Sequence, residues 1–219
     1  MIVDTEKRFQ FYGRRKGKSL RRHHSELMDQ LLPHLRVALH DPLSGMGERR
    51  WLEIGFGGGE HLAHQAELHP DVSFIGAEPF VNGVAKMLAL VEEKTLPKGK
   101  LQDGAARPRV GAFPEAGFEP IYLPPPDPGP KARHNKRRFV SQENLSHFHR
   151  VLKPQGLFLF ASDIDDYVAW TREHAAEHGG FAEEGDASEP YENWIQTRYE
   201  AKARREGRGS SYLRFRRIP

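Results

Sequence analysis

The segment WLEIGFGGGEHL, residues 51–62, restricts the possible folds of this chain more than any other segment. A short, mainly apolar run leads directly into glycines at 55, 57, 58 and 59, and a stretch compatible with a helix follows. Strands of a parallel sheet are buried on both faces, and a glycine turn allows the next helix to return close to its strand. The segment therefore predicts a strand, a tight loop and a helix within an α/β sheet.

Alternation of strands and helices continues along the chain. Apolar runs predict strands at 51–55, 72–78, 99–102, 120–123, 156–162 and 211–217. Helical periodicity predicts helices at 19–39 (bent or interrupted at Pro33), 80–94, 139–152 and 165–178, besides the one that follows the glycines and ends near residue 68. This alternation is typical of a doubly wound α/β sheet.

Length and composition favour a single domain. We assign it to residues 19–219 and expect a basic arm at 1–18, flexible or ordered by a partner, in front of it. No apolar run approaches the roughly 20 residues of a membrane-spanning helix, and the first ten residues lack an apolar signal segment. The chain has no cysteine, which excludes disulfides and thiolate metal sites. We therefore expect a cytoplasmic protein.

Basic residues are concentrated in three blocks, although the net charge is only +3. Residues 1–24 contain eight lysines and arginines, and residues 198–217 contain eight more. The third block, which has no acidic residue, consists of Lys131, Arg133, Lys136, Arg137 and Arg138. A single block could simply be solvated surface. Three together predict one cationic face suited to a polyanion such as RNA.

The glycine loop also indicates what kind of ligand it binds. A dinucleotide fingerprint requires a third glycine where this chain has Glu60, whose charge would repel a pyrophosphate. This disfavours the alternative of a nicotinamide- or flavin-dependent enzyme. An acid at Glu53, two residues before the glycines, suits a cationic ligand without phosphates, such as S-adenosylmethionine (SAM). Glu78, at the end of the second strand, is placed to accept hydrogen bonds from ribose hydroxyls.

The segment IYLPPPDPGPKARHNKRRF, residues 121–139, holds one acid, Asp127, among prolines. It follows a predicted strand, so Asp127 is expected at the same sheet edge as the glycine loop. The prolines restrict φ and reduce the conformational freedom of the turn. The alternative is a rigid connection whose acid has no function. We favour a ligand-facing carboxylate with the basic run beside it.

Five motifs in this order, EIGFGGGEHL, GAEPFVNGVA, PDPGPKARHNKRR, SDIDDY and TRYEAKARREG, resemble the bacterial tRNA (guanine-N7-)-methyltransferase family. The resemblance spans residues 11–215. It implies a Rossmann-like class I methyltransferase sheet, mostly parallel with an antiparallel C-terminal strand. It also implies methyl transfer from SAM to N7 of a guanine in the tRNA variable loop (position 46 in tRNA numbering).

The resemblance assigns roles to individual residues. Glu53, Gly55, Gly57, Gly59 and Glu78 would bind the cofactor, and Asp127 would be the catalytic acid in contact with cofactor and substrate. The substrate guanine would be bound by Lys131, Asp163, Thr197, Arg198, Tyr199 and Glu200. The basic run would supply contacts to the RNA backbone, from Arg133, Lys136, Arg137 and Arg138.

Two positions depart from the family pattern. Gly129 stands where a tryptophan is usual, and Ala105 stands where an acid would face the adenine of the cofactor. They leave open an alternative, an RNA-binding relative whose SAM binding is weakened or lost. The histidines are scattered and the chain has no cysteine, so we expect no metal site. The pattern does not decide between a monomer and a homodimer.

Overall fold

A computed structural model describes residues 15–38, 40–96, 99–103, 110–124 and 138–219, apart from the side chains of residues 198, 199 and 202. Within these ranges, seven strands form one sheet in the order β3-β2-β1-β4-β5-β7-β6. Their bounds are β1 Arg50–Ile54, β2 Ser73–Glu78, β3 Gly99–Asp103, β4 Ile121–Leu123, β5 Leu157–Ser162, β6 Phe181–Glu184 and β7 Ser211–Arg217. Among the strands described, only β7 runs antiparallel to its neighbours, β5 and β6. The predicted α/β fold with an antiparallel C-terminal strand is confirmed.

Helices connect most of the strands. They are α1 Arg22–Gln30, α2 Leu32–Leu35, α3 Glu60–Leu68, α4 Val81–Lys94, α5 Gln142–Val151, α6 Asp165–His178 and α7 Arg198–Arg205, with a 3-10 turn at Val110–Ala112. The first predicted helix is interrupted, but at Leu31 and not at Pro33. Pro33 lies in the first turn of α2, where a backbone N–H would have no acceptor within the helix, so the lack of an N–H in proline costs no hydrogen bond.

Two elements were not predicted from the sequence. β6 has the sequence FAEE and its two central residues are exposed, so it lacks the apolar run of a buried strand. It is an edge strand, held by pairing with β7. α7 has the sequence RYEAKARR, which appears in the sequence as a block of charge.

Helices cover both faces of the sheet. One core packs α5 and α6 against it and includes Phe148, Phe158 and Tyr167. The other packs α1, α3 and α4 against the opposite face. β1 serves both cores, because Leu52 and Ile54 belong to the first and Trp51 to the second.

The strand order reverses between β1 and β4. β1 pairs in parallel with β2 on one side and with β4 on the other. In open α/β sheets, ligands bind beyond the carboxyl ends of the strands at such a switch point. The glycine loop after β1 and the chain leaving β4 at Pro124 both begin at this edge.

The end of the predicted basic arm contacts the start of α4. The Gly17 N–H donates to Asn82 Oδ1 at 2.6 Å, and Asn82 Nδ2 donates to the Lys18 carbonyl at 2.8 Å. The Val81 N–H donates to the carbonyl of Arg15 at 2.9 Å. Residues 1–14 lie outside the described residues, so the arm as a whole stays a prediction.

Candidate active site

The glycine loop takes a path that favours glycine. Gly55, Gly57 and Gly59 have φ of 79°, 58° and 83°, in the left-handed region that other residues rarely adopt. Gly83 of α4 allows the loop to approach this helix closely, since a Cβ at Gly83 would lie 2.2 Å from the Gly57 carbonyl oxygen. The loop and the start of α4 are therefore in direct backbone contact.

Glu78 joins these two segments. Its Oε2 accepts from the Gly57 N–H at 2.7 Å, and its Oε1 accepts from the Phe80 N–H at 2.8 Å. Burial raises the pKa of Glu78, while the two backbone donors act in the opposite direction. The carboxylate thus fixes the loop, and each oxygen keeps a lone pair for a further donor.

Glu53 is buried on β1 beside a histidine that we had not predicted. His61 of α3 lies with its Nδ1 2.8 Å from Glu53 Oε2, and both side chains are 2% exposed. Among the described residues, neither Glu53 Oε1 nor His61 Nε2 has a hydrogen-bond partner. Buried polar atoms are nearly always hydrogen-bonded. The free carboxylate oxygen is therefore a candidate acceptor for a bound ligand.

An aromatic cluster packs against this pair. The His61 ring centroid lies 4.3 Å from that of Trp194 and 5.1 Å from that of Tyr122. Trp194 also contacts Tyr191 and Tyr212 edge to face. Burial, and then the nearby Glu53 charge, hold the pKa of Tyr122 well above its usual value. The cluster connects the candidate cofactor edge to the segment before α7.

Glu200 is turned inwards, towards that cluster. It is 4% exposed, and its carboxylate accepts from the indole N–H of Trp194, the hydroxyl of Tyr212 and the backbone N–H of Thr197. Thr197 Oγ1 accepts from the Glu200 N–H at 3.2 Å, which completes a capping box at the start of α7. Burial and the Glu200 carboxylate raise the pKa of Tyr212.

Asp163 follows β5 and therefore lies at the same edge as the glycine loop. Its side chain is 12% exposed and forms an ion pair with Arg208, which follows α7. Arg208 also contacts Glu206, at 2.6 Å. The carboxylate of Asp163 is thus partly accessible. A base bound to it would lie beside the guanidinium of Arg208, which contacts the same carboxylate.

Arg138 is buried, unlike a surface residue that binds phosphate. Its side chain is 3% exposed and forms an ion pair with Asp166. The guanidinium carbon lies 5.2 Å from the Tyr167 ring centroid and 4.9 Å from that of Trp170. This arrangement packs the start of α6 against the chain before α5. The contacts of Arg138 in the structure are therefore internal ones that stabilise the fold.

Several predicted residues lie outside the described residues: Asp127, Lys131, Arg133, Lys136 and Arg137, together with the departures Ala105 and Gly129. Their roles stay predictions. Arg198 and Tyr199 begin α7, but their side chains are likewise not described. The structure therefore brings Glu53, Glu78 and the glycines together, and it places Asp163 at the same edge.

A groove of about 590 Å³ lies elsewhere, at the amino ends of β1, β4 and β5. Basic residues on its rim already have acidic or carbonyl partners, as Arg49 has Asp71 and Arg216 has Glu184. Tyr122 and Tyr191 of the aromatic cluster line the groove, whereas Glu53, Glu78 and the glycine loop do not. Within the described ranges, no group of three or more His, Asp or Glu side chains could hold a metal ion. No helix there is long and apolar enough to cross a membrane.

Sequence reasoning missed His61, Trp194 and Tyr212. The T-x-x-E pattern at 197–200 carried a usable signal, because it is the sequence signature of a capping box and directs the glutamate back to the backbone. No comparable local signal relates His61 to Glu53. Their contact depends on how α3 packs over β1.

The sheet order and the strand–glycine loop–helix site define a Rossmann-like class I methyltransferase. A family described as "Putative methyltransferase" matches residues 48–213. The solved structure of the 16S rRNA methyltransferase KamB has the same fold, with a TM-score of 0.57 and 18% identity over 81% of this chain and 91% of that one.

Relatives in sequence are more specific. The tRNA (guanine-N(7)-)-methyltransferase of Agrobacterium fabrum is 51% identical over 94% of each chain. That of Rhizobium johnstonii is 48% identical over 99% of this chain and 100% of its own. This chain belongs to the tRNA (guanine-N(7)-)-methyltransferase family.

Proposed function

We propose that this chain transfers the methyl group of SAM to N7 of a guanine in the variable loop of tRNA, at position 46. The observation that carries the proposal is the identity of about half of all residues, along nearly the whole chain, to curated enzymes of that name. The proposal places the enzyme in the cytoplasm, together with its tRNA substrate.

The residues at the carboxyl edge of the sheet suit SAM. Glu53 has a buried, unpartnered Oε1 among the described residues, which can accept from an ammonium group. Backbone N–H groups of the glycine loop can bind a carboxylate, and Glu78 can accept from ribose hydroxyls with its remaining lone pairs. When bound, SAM supplies an electrophilic methyl group.

Positioning accounts for most of the proposed catalysis. Guanine N7 carries a lone pair and no proton, so its methylation requires no general base. Asp127 is the proposed catalytic residue, and either Asp127 or Asp163 accepts from guanine N1–H and N2–H₂. The chain between Leu123 and Asp127 can span at most about 14 Å, which keeps this acid near the carboxyl end of β4. A carboxylate there also stabilises the purine as it becomes cationic.

Asp163 supports base recognition from the end of β5, and Thr197 from the start of α7. Lys131, Arg198 and Tyr199 are the remaining proposed guanine contacts. Arg133, Lys136 and Arg137 bind phosphates, as the absence of acids from their block suggests. Arg138 is the weakest member of this group, because its guanidinium is buried between aromatic rings.

The test is to incubate the purified protein with unmodified tRNA and isotopically labelled SAM, and then to map the modified nucleotide by mass spectrometry. We expect N7-methylguanine in the variable loop. Asp127→Asn is expected to lose methyl transfer while tRNA binding, measured by filter retention, is kept. Methylation at another atom or loop, or near-normal turnover by Asp127→Asn, would contradict the proposal.

The alternative is an RNA-binding relative that does not use SAM, based on Ala105 and Gly129. Isothermal titration calorimetry with SAM separates the two. An enzyme is expected to bind SAM with measurable heat, and S-adenosylhomocysteine is expected to displace the bound SAM. Retained tRNA binding with no SAM binding at all would favour the alternative.

A further inference from the structure

We propose that Glu200 is a positioning residue for the substrate segment and does not contact the substrate base. Its carboxylate is the common acceptor of a buried clamp formed with Trp194 and Tyr212. The clamp holds the start of α7 at the candidate active site. This inference rests on the proposed function for its kinetic consequences, but the clamp itself can be tested without any substrate.

Three donors already occupy the carboxylate of Glu200. Its Oε1 accepts from Trp194 Nε1 at 3.0 Å and from the Tyr212 hydroxyl at 2.5 Å. Its Oε2 accepts from Trp194 Nε1 at 3.1 Å and from the Thr197 N–H at 2.7 Å. An ionised carboxylate offers about four lone-pair positions. Three donors occupy these positions, one of them shared by both oxygens, and the residue is 4% exposed. At most one position remains, which is too few for guanine N1–H and N2–H₂ together.

The donors come from separate parts of the chain. Trp194 ends a turn closed by its own N–H, which donates to the Tyr191 carbonyl at 3.0 Å. Tyr212 lies on β7, in register with Ala161 of β5. Thr197 is the capping residue of α7 itself. Glu200 therefore fixes the first turn of α7 against the sheet and the preceding loop at once.

The clamp also reaches the cofactor side of the site. The Trp194 ring lies 4.3 Å from the His61 ring, and His61 contacts Glu53 at 2.8 Å. One buried set of contacts thus connects the proposed ammonium acceptor to the segment Thr197–Glu200. The groups of that segment left to contact a base are the Thr197 hydroxyl and the side chains of Arg198 and Tyr199.

The first test changes one member of the clamp at a time. Trp194→Phe keeps an aromatic ring and removes its indole N–H, Tyr212→Phe removes only a hydroxyl, and Glu200→Gln replaces an acceptor by an amide N–H₂. Each loses a hydrogen bond to a charged group, so we expect kcat/KM for tRNA to fall about tenfold, mainly through KM. The Kd for SAM is expected to stay within about twofold, since these changes leave Glu53 Oε1 in place.

Tyr191→Phe is the matched control. Tyr191 belongs to the same aromatic cluster, but its hydroxyl donates to the Leu213 carbonyl at 3.1 Å and not to Glu200. We expect a similar loss of thermal stability with a near-normal KM for tRNA. If this control raised KM as much as Tyr212→Phe does, loss of packing in general would explain the effect and the clamp would be rejected.

Two further readouts separate positioning from direct contact. In a double-mutant cycle, Glu200→Gln combined with Tyr212→Phe is expected to cost little more than either change alone, because both break the same clamp. The ratio of kcat/KM for guanosine over inosine at the modified position is expected to be unchanged in Glu200→Gln. A shifted ratio, or a defect in Glu200→Gln with normal Trp194→Phe and Tyr212→Phe enzymes, would establish a direct base contact and overturn the proposal.

Amide hydrogen exchange tests the clamp independently of activity. Residues 198–205 are expected to exchange faster in Glu200→Gln and Tyr212→Phe than in the wild type, with β1 and β2 unchanged. Unaltered exchange in α7 would refute the clamp even if the enzyme is active. If exchange in α7 is faster in the variants but the wild-type protein does not methylate tRNA, the clamp is supported and the proposed function is refuted.

Discussion

Two buried carboxylates lie on neighbouring strands at the candidate cofactor edge, and they differ in what their oxygens contact. Both oxygens of Glu78 accept backbone N–H groups, so this side chain stabilises the loop. Glu53 shares one oxygen with His61, and its other oxygen has no partner within the described chain. We infer that Glu53 supplies charge to the ligand and that Glu78 supplies mainly rigidity.

Glu53→Gln is therefore expected to weaken SAM binding by about tenfold to a hundredfold, the effect of losing one hydrogen bond to a charged group. Isothermal titration calorimetry measures it. Glu143→Gln, an exposed change on α5 at the opposite face of the sheet, serves as the control and should bind SAM normally. Unchanged affinity in a folded Glu53→Gln protein would remove Glu53 from the cofactor site.

His178, at the end of α6, gives a prediction about pH. Its Nδ1 accepts from the Gly180 N–H at 3.2 Å, a bond that requires an unprotonated nitrogen. Burial, and then the neighbouring His149, lower its pKa. Between the folded and unfolded pKa values the unfolded chain binds more protons, so this contribution to stability is lost as pH falls below about 6.5.

His178→Gln is accordingly expected to reduce the fall in Tm between about pH 7.5 and pH 5.5. The reduction is small, because this one group takes up less than one proton on unfolding. Differential scanning calorimetry at both pH values tests it. The exposed His34→Gln provides the comparison and should retain the wild-type dependence. Equal pH dependence in all three proteins would contradict the assignment.

At the scale of elements, the start of α4 organises the candidate site. Three segments meet there: residues 15–18 through Asn82, the glycine loop through Gly83, and the end of β2 through Glu78. Such contacts depend on small separations between backbones. A side chain introduced at this point must displace the loop that is proposed to bind SAM.

Gly83→Ala is expected to destabilise the protein by about 1–3 kcal/mol, because the added Cβ would meet a backbone oxygen that cannot rotate away. SAM affinity should fall with it. Gly99→Ala is the matched control, since its Cβ would lie 3.9 Å from the nearest atom, an ordinary contact. Thermal melting and calorimetry report both effects, and a Gly83→Ala protein that matches the control would show that the approach of loop and helix is not required.

For the whole molecule, the distribution of charge matters more than its sum. A net charge of +3 is small, but the basic residues occur in three blocks separated along the chain. Some of these cations are already used internally, as Arg138 is by Asp166 and Arg208 is by Asp163. The block at 131–137 is the part of this charge that we assign to RNA phosphates.

Affinity for tRNA should therefore decrease steeply with salt. Each neutralised phosphate contributes about 0.7–0.9 to the slope of log K against log salt concentration, so Arg133, Lys136 and Arg137 changed together to Ala should lower the slope by about 2–3. The matched control changes Arg49, Lys94 and Arg172, each of which forms an ion pair within the protein. Equal slopes for the two triple variants would disprove the assignment of the 131–137 block.

The sequence by itself determined the order of strands and helices apart from β6 and α7, the glycine loop and the acids at 53 and 78. These features are local, because burial periodicity and positive φ are properties of a few consecutive residues. Tertiary structure alone decided what each buried polar group contacts. Glu200 meets Trp194 and Tyr212, and Glu53 meets His61, because separate elements pack together. β6 is likewise formed by pairing with β7 and not by its own apolar pattern, since the free energy of an edge strand comes mainly from its neighbour.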